Sequence, residues 1–233
     1  MWVVVGLAWG CGIAAAASKI DPAPLARIDE LMNTAIAEGK CPGGVVLVGH
    51  QDEIVLRKAY GNRAVQPEKV AMTTDTIFDL ASLTKVVSAA TSMTILIDQG
   101  RVSLADLAVK YIPEFAPNGK NAITIEQLMI HRSGLTPDNH LNDYADGGEA
   151  AWKKICDLKL LSEPGEKFAY SDVGYIVLGK IVEKVGGMPL DEFARKNIYE
   201  PAGMAHTAYN PPKEWNSLIA PRSKRNGQWM IGD

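Results

Sequence analysis

A serine and a lysine three residues apart, Ser82 and Lys85, form the pattern with the clearest chemical use in this sequence. A serine hydroxyl is a weak nucleophile until a neighbouring base takes its proton. Residues three apart on a helix share a face, with Cβ atoms about 5–6 Å apart, so the amine can reach the hydroxyl. Free N–H groups at the start of the helix predicted here favour negative charge that develops at the serine. The alternative is a helix-capping serine followed by a solvated lysine.

A second candidate for proton transfer lies in a later loop, where Tyr170 precedes Ser171 and Asp172 at the start of an apolar helical pattern. A phenol held beside Ser82 can relay the serine proton to a leaving group. The alternative is a loop tyrosine that covers the core, with Ser171 or Asp172 capping the helix. Either Lys85 or Tyr170 is a candidate base, because the neutral pair and the ionised pair hold the same number of protons. An Asp172 carboxylate near Lys85 would keep the amine charged and favour Tyr170 as the base.

Other chemistry-bearing patterns are weaker. Ser133 follows His131 and Arg132, but it lies at a predicted helix end with Gly134 as the stop, which favours a structural role. No G-x-S-x-G pattern is present, so an α/β-hydrolase nucleophile is not indicated. The histidines are scattered, with no H-E-x-x-H and no C-x-x-C, and we predict neither a metal site nor a cofactor.

The chain has 233 residues, 47% of them hydrophobic, and a formal net charge of −3, which gives no basic footprint for nucleic acid. Residues 2–17 carry no charge and end in Ala15-Ala16-Ala17, the pattern of a signal peptide. We therefore predict a signal peptide over residues 1–17, one domain over 18–233, a secreted or periplasmic location and no stable membrane span. After cleavage, Cys41 and Cys156 could form one bridge in an oxidising compartment.

The elements that must position these side chains follow from apolar spacing and turn residues. Two apolar runs around a polar turn predict a hairpin, and the remaining patterns are helical. The helix after Ser82 has Val86, Ala90, Met93 and Ile97 at helical spacing, which predicts a buried face. Strands followed by helices indicate an α+β fold with segregated helices. The predicted strands are 43–49 and 53–60, with one more starting near 228; the predicted helices are 22–36, 82–100, 123–131, 150–161, 172–185 and 189–199.

Four ordered stretches together make the chain similar to a known family: residues 78–85, 128–135, 164–179 and 198–204. They resemble the serine β-lactamases and penicillin-binding proteins, in the branch that holds class C β-lactamases, D-alanyl-D-alanine carboxypeptidases and related esterases. The resemblance implies a two-lobe fold with a helical lobe and an antiparallel sheet lobe. It also implies that Ser82 is acylated, that Lys85 is its proton partner and that Tyr170 is the third catalytic group.

Two departures from the family pattern shape the expected function. Class C enzymes usually have Asn where this chain has Asp172, and a carboxylate cannot donate a hydrogen bond to a substrate carbonyl as an amide does. The family's third motif, on a late strand that supplies an oxyanion-hole N–H, is absent up to Asp233, so we expect an N-terminal fragment. The expected function is a serine hydrolase of small-molecule or peptide acyl substrates, with ester or carboxypeptidase-like activity favoured. The alternatives are a true class C-like β-lactamase and a non-catalytic penicillin- or peptidoglycan-binding homologue.

Overall fold

The structure is a computed structural model that describes residues 21–221, 224–225 and 228–229, so the predicted signal peptide lies outside the described residues. The described chain divides into two compact units. Of the described residues, the first unit holds 21–77, 218–221, 224–225 and 228–229, and the second holds Phe78–Ser217.

The first unit contains a helix, α1 (Pro22–Ala37), and three antiparallel strands in the order β1 (Gly43–His50), β2 (Glu53–Ala64) and β3 (Val70–Ala71). The hairpin of β1 and β2 confirms the predicted one, and α1 confirms the predicted first helix. Asp29 on α1 accepts hydrogen bonds from the Tyr60 hydroxyl (2.6 Å) and the Lys58 amine (2.8 Å) of β2. These bonds hold α1 on the sheet. A short pair, β4 (Lys224–Arg225) and β5 (Gln228–Trp229), includes the strand predicted near residue 228.

The second unit is helical. A π-helix (Lys85–Ala90) continues as α2 (Thr91–Asp98), and α6 (Leu190–Ala194) likewise continues as a π-helix (Arg195–Tyr199). The other α-helices are α3 (Ile125–Met129), α4 (Gly148–Asp157) and α5 (Asp172–Gly186). Short 3₁₀ segments connect them: Ala108–Lys110, Pro113–Phe115, Lys120–Ala122, Leu141–Tyr144 and Lys213–Trp215.

Helix α5 forms the centre of this unit, because it packs against α2, α3 and α6. Its inner face is fully buried through Val177, Leu178 and Ile181, which belong to one apolar core with Leu128 of α3 and Leu96 of α2. Burial of an aliphatic side chain contributes roughly 1.5–3 kcal/mol, so this core fixes where the ends of α3 and α5 lie. Asp172 opens α5, and His131 follows the end of α3.

The predicted buried face of the helix after Ser82 is wrong in part. Met93 is fully buried as expected, but Val86 is 61% exposed, and Ser88 and Ala89 are buried instead. A π-helix closes i→i+5 hydrogen bonds, so each turn holds more residues than the α-helical count assumes. The apolar spacing counted from Val86 therefore loses register before α2 begins.

The mixture of helices with a small antiparallel sheet confirms the predicted α+β fold class. None of the helices in the described part of the chain is long and apolar enough to cross a membrane. Cys41 and Cys156 are both free thiols.

Candidate active site

Ser82 lies in the turn that leads into the π-helix, and it is exposed to solvent. The turn is tight, because the amides of Thr84 and Lys85 donate to the carbonyls three residues back, at 3.0 and 3.1 Å. Ala81, directly before the serine, has a left-handed backbone with φ +45°, and its amide donates to Asp79 Oδ1 at 2.6 Å. A left-handed alanine is unfavourable, and such strain concentrates at functional sites. The local backbone therefore presents the Ser82 hydroxyl outward.

The Lys85 amine lies between the serine and a carboxylate. Its Nζ donates to Ser82 Oγ at 3.2 Å and lies 2.5 Å from Asp172 Oδ1. The lysine side chain is only 12% exposed. Burial lowers the pKa of Lys85, but hydrogen bonds to Asp172 and Tyr170 outweigh this and raise it above its ordinary value. Lys85 is therefore an ammonium group at neutral pH.

Tyr170 is the third group at this site. Lys85 Nζ lies 4.8 Å from the centroid of the tyrosine ring. Hydrogen bonds from Lys85 and from Ser82 lower the pKa of the Tyr170 hydroxyl below that of an ordinary phenol. The phenol therefore holds its proton less tightly than an ordinary tyrosine does. Its hydrogen-bond partners, Ser82 and Lys85, are the groups beside which the sequence analysis placed it.

The start of α5 places Asp172 in this cluster. Ser171 is the helix cap, since its Oγ accepts from the amide of Gly174 at 3.0 Å and donates to the carbonyl of Thr136 at 2.6 Å. The amide of Asp172 donates to the carbonyl of Pro137 at 2.7 Å. A carboxylate in the first turn also suits the helix dipole. The four predicted site residues, Ser82, Lys85, Tyr170 and Asp172, are therefore brought together.

The loop that carries Tyr170 lies against the segment after α3. The amides of Leu161, Gly165 and Ala169 donate to the carbonyls of Gly134, Arg132 and His131, at 2.8, 2.7 and 2.8 Å. Gly134 has φ +78°, and a Cβ there would lie 2.2 Å from the carbonyl oxygen of Ser162. Only glycine permits this close approach of two main chains.

Gly134→Ala should therefore destabilise the protein by about 3 kcal/mol or more, because it adds a main-chain clash to a left-handed backbone. Gly187→Ala is the matched control, since Gly187 has φ +76° with nothing within 4 Å of its Cβ position. We expect that control to cost only about 1–2 kcal/mol. Urea unfolding measures both, and equal losses in the two variants would contradict the argument.

The rejected nucleophile Ser133 is 2% exposed, and its Oγ accepts from the amide of Leu135 at 3.4 Å. The predicted helix stop at Gly134 is wrong: α3 ends earlier, and His131 supplies the left-handed residue with φ +57°. Nothing in the sequence pattern singles out His131, because Gly134 is the more usual stop. Over the described parts of the chain, no three or more His, Cys, Asp or Glu side chains come together as metal ligands would.

Comparison with known proteins shows the family of the chain. The family model described as Beta-lactamase matches residues 27–229. A protein of Escherichia coli provisionally named D-alanyl-D-alanine carboxypeptidase is 35% identical over 189 residues, which cover 73% of this chain and 44% of that protein.

Solved structures give the same result. A penicillin-binding protein homologue from Pyrococcus abyssi superposes with a TM-score of 0.74 at 26% identity, over 89% of this chain and 50% of that one. A class C β-lactamase superposes with a TM-score of 0.80 at 22% identity, over 91% of this chain and 58% of that one, which shows a shared fold. This chain spans about half the length of the relatives it matches. It belongs to the β-lactamase family of serine hydrolases.

Proposed function

We propose that the protein is an exported serine hydrolase that works through an acyl-Ser82 intermediate. The observation that supports it best is the contact set of one ammonium group: Lys85 Nζ lies 3.2 Å from Ser82 Oγ and 2.5 Å from Asp172 Oδ1, beside a phenol of lowered pKa. Such a reaction needs a nucleophile and a proton acceptor. The Asp172 carboxylate fixes the charge state of Lys85 and Tyr170. The uncharged stretch over residues 2–17 supports export.

The charges of the site support one distribution of the proton-transfer roles. Because Asp172 keeps Lys85 protonated, Lys85 cannot accept the serine proton, and the ionised form of Tyr170 is the base. The Tyr170 oxygen takes the proton of Ser82 Oγ as that oxygen bonds to the acyl carbon. Collapse of the tetrahedral intermediate breaks the bond to the leaving group, which receives the same proton from Tyr170. Water then attacks the acyl carbon while Tyr170 takes a proton from it. The bond from the acyl carbon to Ser82 Oγ breaks, the acid product leaves, and Tyr170 returns the proton to Ser82 Oγ.

Asp172 supports one substrate class over another. Its carboxylate accepts the Lys85 ammonium and has no donor for a substrate amide carbonyl, which favours an ester over an amide-bearing β-lactam. The carboxypeptidase name of the Escherichia coli relative supports a peptide that ends in D-alanyl-D-alanine. In the complete gene product, a short-chain p-nitrophenyl ester should be hydrolysed with a higher kcat/KM than nitrocefin. Faster hydrolysis of nitrocefin would make the protein a β-lactamase instead.

Asp172→Asn should raise the ratio of nitrocefin to ester hydrolysis, because the amide supplies the missing donor and no longer holds Lys85 charged. We expect a change of about tenfold, the effect of one hydrogen bond of roughly 1.4 kcal/mol. Asp191→Asn is the matched control, since Asp191 is also a carboxylate in the first turn of a helix, α6. A ratio that falls, or that moves equally in both variants, would contradict the role given to Asp172.

A further inference from the structure

His131 has a left-handed backbone conformation, which is uncommon in residues other than glycine. The residue follows α3 as the left-handed member of a Schellman turn, with φ +57°. The amide of Arg132 donates to the carbonyl of Gln127 at 2.7 Å, and the amide of His131 donates to that of Leu128 at 3.3 Å. Glycine is the usual residue at this position. A bulky side chain retained there needs a reason in its contacts.

Those contacts surround Tyr170. The carbonyl oxygen of His131 accepts from the amide of Ala169 at 2.8 Å, and its Nδ1 accepts from the amide of Ser171 at 3.0 Å. The main chain is therefore held by the histidine on both sides of the tyrosine. The imidazole also packs on the phenol ring, with centroids 4.5 Å apart and planes 30° apart. One residue thus fixes both the backbone and the ring of Tyr170.

The imidazole must be neutral to make these contacts. Because Nδ1 accepts a hydrogen bond, the single proton of the neutral ring is on Nε2. The titratable groups that face the ring are the Lys85 ammonium, the Asp172 carboxylate and the phenols of Tyr170 and Tyr175. Burial and the charge of Lys85 lower the pKa of His131. Protonation would remove the acceptor at Nδ1 and put a second cation beside Lys85.

We propose that His131 is the positioning residue for Tyr170, which it holds toward Ser82 Oγ and Lys85 Nζ from the end of α3. The proposal rests on the base role given above to Tyr170. His131 touches no reacting atom; it acts through the main-chain bonds to Ala169 and Ser171 and through the stacked ring.

Two substitutions in the complete gene product separate these contacts. His131→Gly keeps the left-handed turn and removes the imidazole, while His131→Asn tolerates the turn and keeps an acceptor near the Nδ1 position. For p-nitrophenyl acetate we expect kcat to fall about 10²-fold in His131→Gly, the cost of a catalytic group displaced by about 1 Å, with KM within about twofold. The kcat of His131→Asn should be about tenfold higher than that of His131→Gly. His206→Asn, which removes an imidazole that packs on Trp215, should keep the parental kcat.

A second measurement does not depend on turnover. With tyrosine labelled at the ζ carbon, the ¹³C resonance of Tyr170, assigned by its loss in Tyr170→Phe, reports the phenol pKa. In the parent protein that pKa should lie below 10, and in His131→Gly it should return toward 10 because the phenol is no longer held beside Lys85. If His131→Gly does not fold, His131→Asn provides the test. A partial loss of kcat in that folded variant would support the positioning role of His131, and an unchanged kcat would overturn it.

Different results would overturn the positioning role of His131 and the proposed function. An unchanged Tyr170 titration together with an unchanged kcat in the folded variants would overturn the positioning role of His131. A Tyr170 pKa that rises in His131→Gly, in a parent protein that hydrolyses neither an ester nor a peptide ending in D-alanyl-D-alanine, would support the positioning role and reject the proposed function.

Discussion

Ser82→Ala should reduce hydrolysis of a p-nitrophenyl ester to the uncatalysed background. Removal of the nucleophile of a serine hydrolase costs a factor on the order of 10⁶ in kcat, because the remaining groups of the site act only through it. In this chain the dependence should be complete, since the Lys85 ammonium and the Tyr170 phenol both bond to the Ser82 hydroxyl. Steady-state kinetics of the purified variant measure the loss.

The matched control is Ser133→Ala, which removes the serine that follows His131 and Arg132 in the sequence. Its hydroxyl is buried and accepts a main-chain hydrogen bond from Leu135, so we expect the parental rate in a protein that has lost a little stability. A loss of activity in Ser133→Ala with activity retained in Ser82→Ala would move the nucleophile and reject the account of the site.

Tyr170→Phe and Lys85→Ala should each lower kcat by about 10²–10⁴, the usual contribution of a positioned proton-transfer group. The phenylalanine keeps the ring contact with His131 and loses only the oxygen that we propose as the acceptor of the serine proton. The alanine removes the ammonium group that lowers the pKa of the Tyr170 phenol. KM should change much less than kcat in both variants, because in the proposed mechanism both groups act on the serine proton and not on the substrate in its ground state.

The pH dependence separates the two candidate bases. A base acts when it is deprotonated. The rate should therefore fall as the pH drops through the pKa of Tyr170, which lies below the pKa of an ordinary phenol. The raised pKa of Lys85 keeps the ammonium charged, so no loss of rate is expected until the pH passes about 10.5. Tyr170→Phe should remove the acid limb from the residual activity. An acid limb that persists in this variant would assign the base role to another group.

Controls for these two variants come from the same unit. Tyr111→Phe removes a phenol that bonds to the partly buried carboxylate of Asp106, and Lys180→Ala removes a cation paired with Glu183. Both should keep kcat within about twofold, because these pairs are made with carboxylates outside the catalytic cluster. A loss in the controls that matches the site variants would indicate general destabilisation instead of chemistry.

The proximity of Ser82 and Lys85 could be predicted from spacing alone, because residues three apart in a helical turn share a face. The approach of Tyr170 and Asp172 could not, since it depends on how α3 and α5 pack in the core. It was inferred from the resemblance to a known family. His131 was missed because its role arises from two main-chain amides and a ring contact that no local pattern encodes.

The fold, like the site, could be predicted from the sequence only in part. The hairpin and the helices α1 and α5 follow from apolar spacing with clear stops, and their observed bounds lie close to the predicted ones. The face of the helix after Ser82 was wrong because a π-helical segment looks like an α-helical one in sequence. The helix predicted over 150–161 ends at Asp157, since the following residues turn away and Leu161 pairs with Gly134.

The most direct test of the central claim is the site of a covalent adduct. The complete gene product is treated with a fluorophosphonate, and the modified peptide is sequenced by tandem mass spectrometry. We expect a single adduct on Ser82, none in Ser82→Ala, and slower formation in Tyr170→Phe. An adduct on another serine, or one that forms equally well in Ser82→Ala, would contradict the assignment of Ser82 as the acylated nucleophile.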